Sequence, residues 1–134
     1  MTLHVEVVSP ERILWTGDAD RVIARTIGGG EIAFLTGHAP FVGALDIGTV
    51  RVHVEGGADE VIAVHGGFVE VSHDRVTVLS DVAEVASQID VERARAAAER
   101  AEAALRTEND AEAEAALRRA RVRIDAATGT LAPH

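Results

Sequence analysis

At 134 residues and a formal charge of −9, the chain has room for one compact domain with a small appendage, and its acidity argues against nucleic acid, whose phosphates demand a basic surface. It has no Cys and all 13 basic residues are Arg, which excludes disulfides, thiolate catalysis, Schiff-base chemistry and a Walker A loop with its Gly-Lys pair. No apolar run approaches the roughly 20 residues of a membrane-spanning helix, and the N-terminus reads as neither signal nor transit peptide, so a cytoplasmic chain without membrane insertion is expected.

The first two thirds alternate with period two. Leu3, Val5 and Val7 oppose His4 and Glu6; Val50, Val52 and Val54 oppose Arg51, His53 and Glu55; Val69 and Val71 oppose Glu70 and Ser72. Such alternation predicts half-buried strands. Between the first two of these sets lies Gly29–Gly48, GGEIAFLTGHAPFVGALDIG, where Gly37-His38-Ala39-Pro40 predicts a shaped loop between strands Glu31–Leu35 and Phe41–Leu45. The run Val61–Val64 is apolar on both faces, which predicts a central strand. Glycine turns at Gly17, Gly28–Gly30, Gly56-Gly57 and Gly66-Gly67, with His73-Asp74, punctuate about nine or ten short strands, the pattern of a β-sandwich or barrel. Aromatic residues make up only 3% of the chain, so the core should be aliphatic.

Near Asp90 the composition changes. Through Asp90 there are 5 Arg against 14 Asp and Glu; from Val91 onward there are 8 of each, so all of the net charge lies in the strand-rich part. Residues 91–127 are dominated by Ala, Glu and Arg, which form helices readily. Asp90 is a natural N-cap for a helix to about Thr107, and Asn109-Asp110 caps a second one to about Ala127, closed by Gly129 and Pro133. Ala94, Ala97, Ala98, Ala101, Ala104 and Leu105 recur at helical spacing, as do Ala113, Leu117, Ala120 and Ile124, and the short break between the helices predicts an antiparallel hairpin. Methyl groups bury little apolar area, so this hairpin should be the less stable part and a candidate moving element. The expected architecture is α+β, with a β-sandwich or barrel domain over 1–88 and a helical hairpin over 89–134.

The six histidines, His4, His38, His53, His65, His73 and His134, include no HxH or HExxH pair, so a metal site is not expected, although His65 and His73 could approach across a hairpin. No nucleophile elbow, EF-hand spacing or complete dinucleotide glycine loop occurs, and no spacing among the 22 carboxylates singles out an acid–base pair. No catalytic site is expected.

Several motifs in fixed order carry a resemblance. Val7-Val8-Ser9-Pro10 and Gly17-Asp18-Ala19 are followed by Gly30-Glu31-Ile32-Ala33-Phe34-Leu35-Thr36-Gly37-His38-Ala39-Pro40, then Leu45 and Gly48, then Gly66-Gly67-Phe68-Val69-Glu70-Val71 and Val76-Thr77-Val78-Leu79-Ser80-Asp81. This series resembles the epsilon subunit of F-type ATP synthases, with Ala33 standing where glycine is usual and Thr36 where proline is common. The resemblance implies a ten-stranded β-sandwich followed by two helices, and a non-catalytic central-stalk subunit peripheral to the cytoplasmic face of a bacterial membrane. It implies the gamma subunit, the c ring and, when the hairpin extends, the catalytic alpha and beta subunits as partners. Such a subunit couples proton-driven rotation to ATP synthesis and restrains ATP hydrolysis through its helices.

By the same resemblance, Gly29, Gly30 and Glu31 would face the c ring, and His38, Ala39, Pro40, Phe41 and Val42 would lie at or near gamma. Turn-forming glycines and a core role for Phe41 and Val42 explain the same residues without a partner. Ile89-Asp90-Val91-Glu92-Arg93-Ala94 matches the IDxxRA nucleotide-binding pattern of some bacterial epsilon subunits, which implies ATP as a regulatory ligand and no required cofactor. Asp90 could accept hydrogen bonds from base or ribose, and Arg93 could grip phosphate through its planar fork. Arg119 and Arg123, four residues apart on one helix face, could complete a cationic pocket, with Glu84 a further member. The competing reading makes Asp90 a cap and the arginines a solvated face. A free-standing β-sandwich nucleotide sensor or adaptor is the alternative function.

Overall fold

The computed structural model describes residues 2–129. Pro133 and His134 lie outside them. Ten strands come first: β1 (Leu3–Val8), β2 (Ile13–Ala19), β3 (Arg21–Thr26), β4 (Gly30–Leu35), β5 (Phe41–Ala44), β6 (Ile47–His53), β7 (Glu60–His65), β8 (Phe68–Ser72), β9 (Arg75–Leu79) and β10 (Ala83–Val85). A short 3-10 turn, Ala86–Gln88, leads into α1 (Val91–Thr107) and α2 (Ala111–Thr128). The strands form two five-stranded sheets, ordered β2-β1-β9-β8-β5 and β10-β7-β6-β3-β4. Strands β1 and β9 run parallel.

The inward side chains of the two sheets make one aliphatic core. Leu3, Val5, Val7, Val69, Val71, Val76 and Val78 face Val22, Val50, Val52, Ile62, Val64 and Phe34, all of them at most 1% exposed. The predicted alternation therefore holds in β1, β6 and β8. Two large rings fit at the rim because glycine makes room for them. An added Cβ on Gly17 would lie 2.8 Å from the Trp15 indole, and one on Gly43 would lie 2.7 Å from the Phe41 ring. Each ring thus leans along its own strand over the residue two positions on. Gly67 has the tightest requirement: its φ is +112°, and a Cβ there would sit 2.0 Å from the Leu79 carbonyl oxygen.

Two sequence expectations are corrected. Leu45 is not part of β5; it forms an isolated bridge to Thr26 as the chain crosses from one sheet to the other. Nor is the doubly apolar Val61–Val64 run central. It belongs to β7, second from the edge of its sheet. Its outer residues are covered by α2: Ala63 and Val61 pack with Ile89, Val122 and Ala126. His65 and His73 do not meet, since one ends β7 in the second sheet and the other sits in the β8–β9 turn of the first.

The hairpin lies folded on the second sheet, with α2 between the sheet and α1. The predicted methyl stripe is the seam between the helices, where Ala98, Ala101, Leu117 and Ala120 are buried beside Ala97, Leu105 and Ile124. A second stripe, Val122 and Ala126, faces β6 and β7 and was not expected from the sequence. Asp90 caps α1 by accepting from the Arg93 backbone N–H at 3.1 Å, Asp110 caps α2, and Gly129 ends it in a left-handed conformation with φ 72°.

Candidate functional site

Where the sandwich meets the hairpin there is a cleft of about 480 Å³. Glu84 of β10 and Gln88 of the 3-10 turn form one wall. Asp90 stands at the start of α1, and Arg93, Ala94, Ala97 and Arg100 line the cleft along that helix. The spacing 93, 97, 100 is one face of an α-helix, so both guanidinium groups point the same way about 10 Å apart along the axis. Arg123 of α2 closes the far side and donates through Nε to Glu84 at 2.5 Å. Among the described residues, Arg93 and Arg100 have no side-chain ion pair or hydrogen bond. Two free guanidiniums and a third held by one carboxylate make a cleft suited to a multivalent anion.

Of the seven nucleotide-site candidates, Glu84, Asp90, Arg93, Ala94 and Arg123 line this cleft. Ile89 does not; it is buried in the cluster under α2. Arg119 also lies outside the lining and pairs with Glu112 along α2 at 2.8 Å. Val82, Gln88, Ala97 and Arg100 were missed. Arg100 was legible as the residue seven after Arg93, but only once the facing side of α1 is known.

Beneath the Glu84–Arg123 pair is His65. Its side chain is 4% exposed, neither ring nitrogen has a hydrogen-bond partner, and Nε2 is 3.7 Å from Glu84. Burial, reinforced by the Arg123 charge, pushes its pKa down from 6.5 to about 4, so the ring is neutral at pH 7. On the opposite edge of α2, Arg118 donates to Asp46 at 2.7 Å. Arg118–Asp46 and Arg123–Glu84 are thus two clamps between helix and sheet, one along each edge of α2.

The loop candidates divide between the two ends of β4, which at six residues spans roughly 17–20 Å. At one end Gly29 and Glu31 are exposed, Gly30 turns the chain with φ 68°, and Glu31 has only a loose 3.9 Å contact to Arg25. At the other end Ala39 and Pro40 are exposed, while His38 is half-buried against the rings of Phe34 and Phe41. The His38 Nδ1–H donates to the Ala39 carbonyl at 2.7 Å. Phe41 packs against the core, whereas Val42 is 70% exposed. A patch that no single segment reveals lies on the outer face of the first sheet. Cross-strand register places Ile13, Val8, Leu79, Phe68 and Ala44 in one row across all five strands, and Ile27 adjoins Ala44 at the Gly28–Gly30 end. Ile13, Ile27, Leu79 and Phe68 are exposed, and Val42 lies on the same face as Ala44, two residues away on β5.

Residues 2–86 match the family model "ATP synthase, Delta/Epsilon chain, beta-sandwich domain", and residues 87–128 match "ATP synthase, Delta/Epsilon chain, long alpha-helix domain". An ATP synthase epsilon chain of Halalkalibacterium halodurans is 46% identical over 131 residues, covering 94% of this chain and 97% of the relative. One from Streptomyces griseus is 44% identical over 124 residues, covering 92% and 94%. Among solved structures, a chain of the Euglena gracilis mitochondrial ATP synthase OSCP/F1/c-ring assembly matches with a TM-score of 0.80 at 25% identity, over 95% of this chain and 81% of that one. A chain of the Tetrahymena thermophila mitochondrial ATP synthase central stalk and c ring shares the fold, with a TM-score of 0.56 at 13% identity and 96% of both chains covered. By both domains and by relatives matched over nearly their full length, the chain belongs to the family of ATP synthase epsilon chains.

Proposed function

We propose that this chain is a non-catalytic central-stalk subunit of a rotary ATP synthase, and that its hairpin is a switch biased toward the folded state by ATP. The carrying observation is that one cleft is lined by β10, α1 and α2 together, with Arg93 and Arg100 free and Arg123 held by Glu84. A ligand that fills it touches the sandwich and both helices at once. The complete site exists only with the hairpin down, so the ligand favours that state by its difference in affinity for the two. Triphosphate oxygens match the three guanidiniums, and Asp90 at the mouth accepts from ribose or base.

Extension of the hairpin breaks Arg118–Asp46 and Arg123–Glu84 and bares an arginine-rich helix. That helix then suits an acidic surface on the catalytic alpha and beta subunits, where it opposes ATP hydrolysis. The sandwich, by this reading, meets gamma through the apolar row and the loop around His38, and meets the c ring at Gly29–Glu31. Among the described residues no helix is long and apolar enough to cross a membrane. Attachment to the cytoplasmic face of a bacterial membrane would then come through the rest of the complex.

Calorimetry with the purified chain tests the switch. Arg93→Ala and Arg123→Ala should each weaken ATP binding by about 10- to 100-fold, the value of a charge-assisted hydrogen bond of roughly 1.5–3 kcal/mol. Unchanged affinity in both variants would remove ATP from the reading. Recovery of gamma and c subunits with the tagged chain from membrane extracts tests the stalk assignment separately.

A further inference from the structure

We infer that His65 is an acid-sensitive latch at the sandwich–hairpin joint, whose protonation releases the hairpin from the sheet. The inference deepens the switch reading, because it rests on the hairpin moving as a unit, but it requires no nucleotide.

The geometry on balance opposes a second proton on this ring. His65 ends β7 on the face covered by α2, and its side chain is 4% exposed. Its cross-strand neighbour on β6 is the apolar Ile47. From β10 it faces Glu84, whose charge favours the protonated ring, and from α2 it faces Arg123 and Arg119; burial together with their charges opposes it more strongly. Glu84 is already engaged by Arg123 at 2.5 Å and stands 3.7 Å from His65 Nε2. A protonated ring, itself buried, would therefore compete with Arg123 for the single carboxylate of Glu84, with Arg119, already paired with Glu112, as a further cation nearby. Both arginines belong to α2, so lifting α2 relieves the repulsion and hydrates the ring in a single movement. Neither ring nitrogen has a hydrogen bond to lose on release.

The sign follows from linkage. Folded down, the ring has a pKa lowered to about 4; hydrated, it returns toward 6.5. The released state therefore binds the proton more tightly. The contribution of neutral His65 to the folded state is fully present above pH 6.5 and is lost as pH falls from there toward 4. At pH 5.5 these two values give about a 10-fold rise in the ratio of released to folded hairpin relative to pH 7.5. Bound polyphosphate beside Arg123 would offset the positive potential at the ring, so ATP and acid should oppose one another.

Because the chain has no Cys, two spin labels can be placed without background, at Glu55→Cys in the β6–β7 loop and Thr107→Cys at the end of α1, both exposed. Distances are measured in the full chain, without nucleotide, at pH 7.5 and pH 5.5. The ratio of released to folded hairpin should rise about 10-fold, and His65→Gln should hold that rise within about twofold. An equal acid response in His65→Gln, or none in the parent chain, overturns the latch. Should His65→Gln fail to fold, NMR titration of the His65 ring in the parent chain decides. Protonation must coincide with release; a ring that protonates near pH 6.5 while the labels stay at the folded distance refutes the proposal. A parallel sample with ATP at pH 7.5 separates the two readings: acid release without any ATP response would sink the nucleotide switch and leave the latch standing.

Discussion

Asp90 carries two candidate roles on one carboxylate. Its Oδ1 caps α1 by accepting from the Arg93 N–H, and the residue is exposed at the mouth of the arginine cleft. Side chain and charge can be separated, because Asn caps a helix about as well as Asp while Ala does not. Asp90→Ala should lose about 1 kcal/mol of stability in urea unfolding, and Asp90→Asn close to none. Asp90→Asn should still weaken ATP binding about tenfold, since a charged acceptor is worth about 1.5 kcal/mol or more. Affinity unchanged in Asp90→Asn would reduce the residue to a cap. The IDVERA segment made Asp90 and Arg93 visible in the sequence because cap and cation sit three residues apart on one helix. Glu84 and Arg123 were harder to pair by inspection, since their contact spans 39 residues and exists only where α2 lies over β10.

Helix α2 serves two interfaces. Leu117 and Ala120 face α1, while Val122 and Ala126 face the sheet. The sheet contact is a small cluster, with Ala63, Ile89, Val122 and Ala126 buried at its centre, and it buries far less apolar area than the core between the sheets. Its two edge clamps then matter in proportion. Arg118 is 53% exposed, so its pair with Asp46 is worth up to about 1 kcal/mol in solvent. Asp46→Asn should therefore raise the population of released hairpin by up to about fivefold. Hydrogen exchange would show this as faster amide exchange in α1 and α2 with unchanged protection in β1, β6 and β8. Equal loss of protection in the strands would mean that the hairpin and sandwich open together.

For the whole molecule, the apolar row on the first sheet has no counterpart on the second, whose outer face is occupied by α2. Phe68 and Leu79, 57% and 44% exposed, lie at the centre of that row. Exchanging each for Ser should alter stability by no more than about 0.5 kcal/mol, because neither packs in the core. Association with gamma, measured by surface binding to the purified partner, should fall at least about tenfold if the row is the contact. Equal binding would move the gamma site to the His38 loop. Strand alternation, glycine turns, the cap at Asp90 and the methyl stripes are all local features, so the sequence by itself determined a sandwich or barrel of short strands followed by a helical hairpin, and the family motifs selected the sandwich. It could not order the strands in their sheets, put β7 beneath α2, or assemble Ile13, Leu79, Phe68 and Ala44 into one row. Those depend on register between segments far apart in the chain, and register is set by which faces find cover rather than by any one segment. The same holds for His65. In the sequence it is one histidine at the end of a strand; only the folded hairpin takes it out of water and surrounds it with Glu84, Arg119 and Arg123.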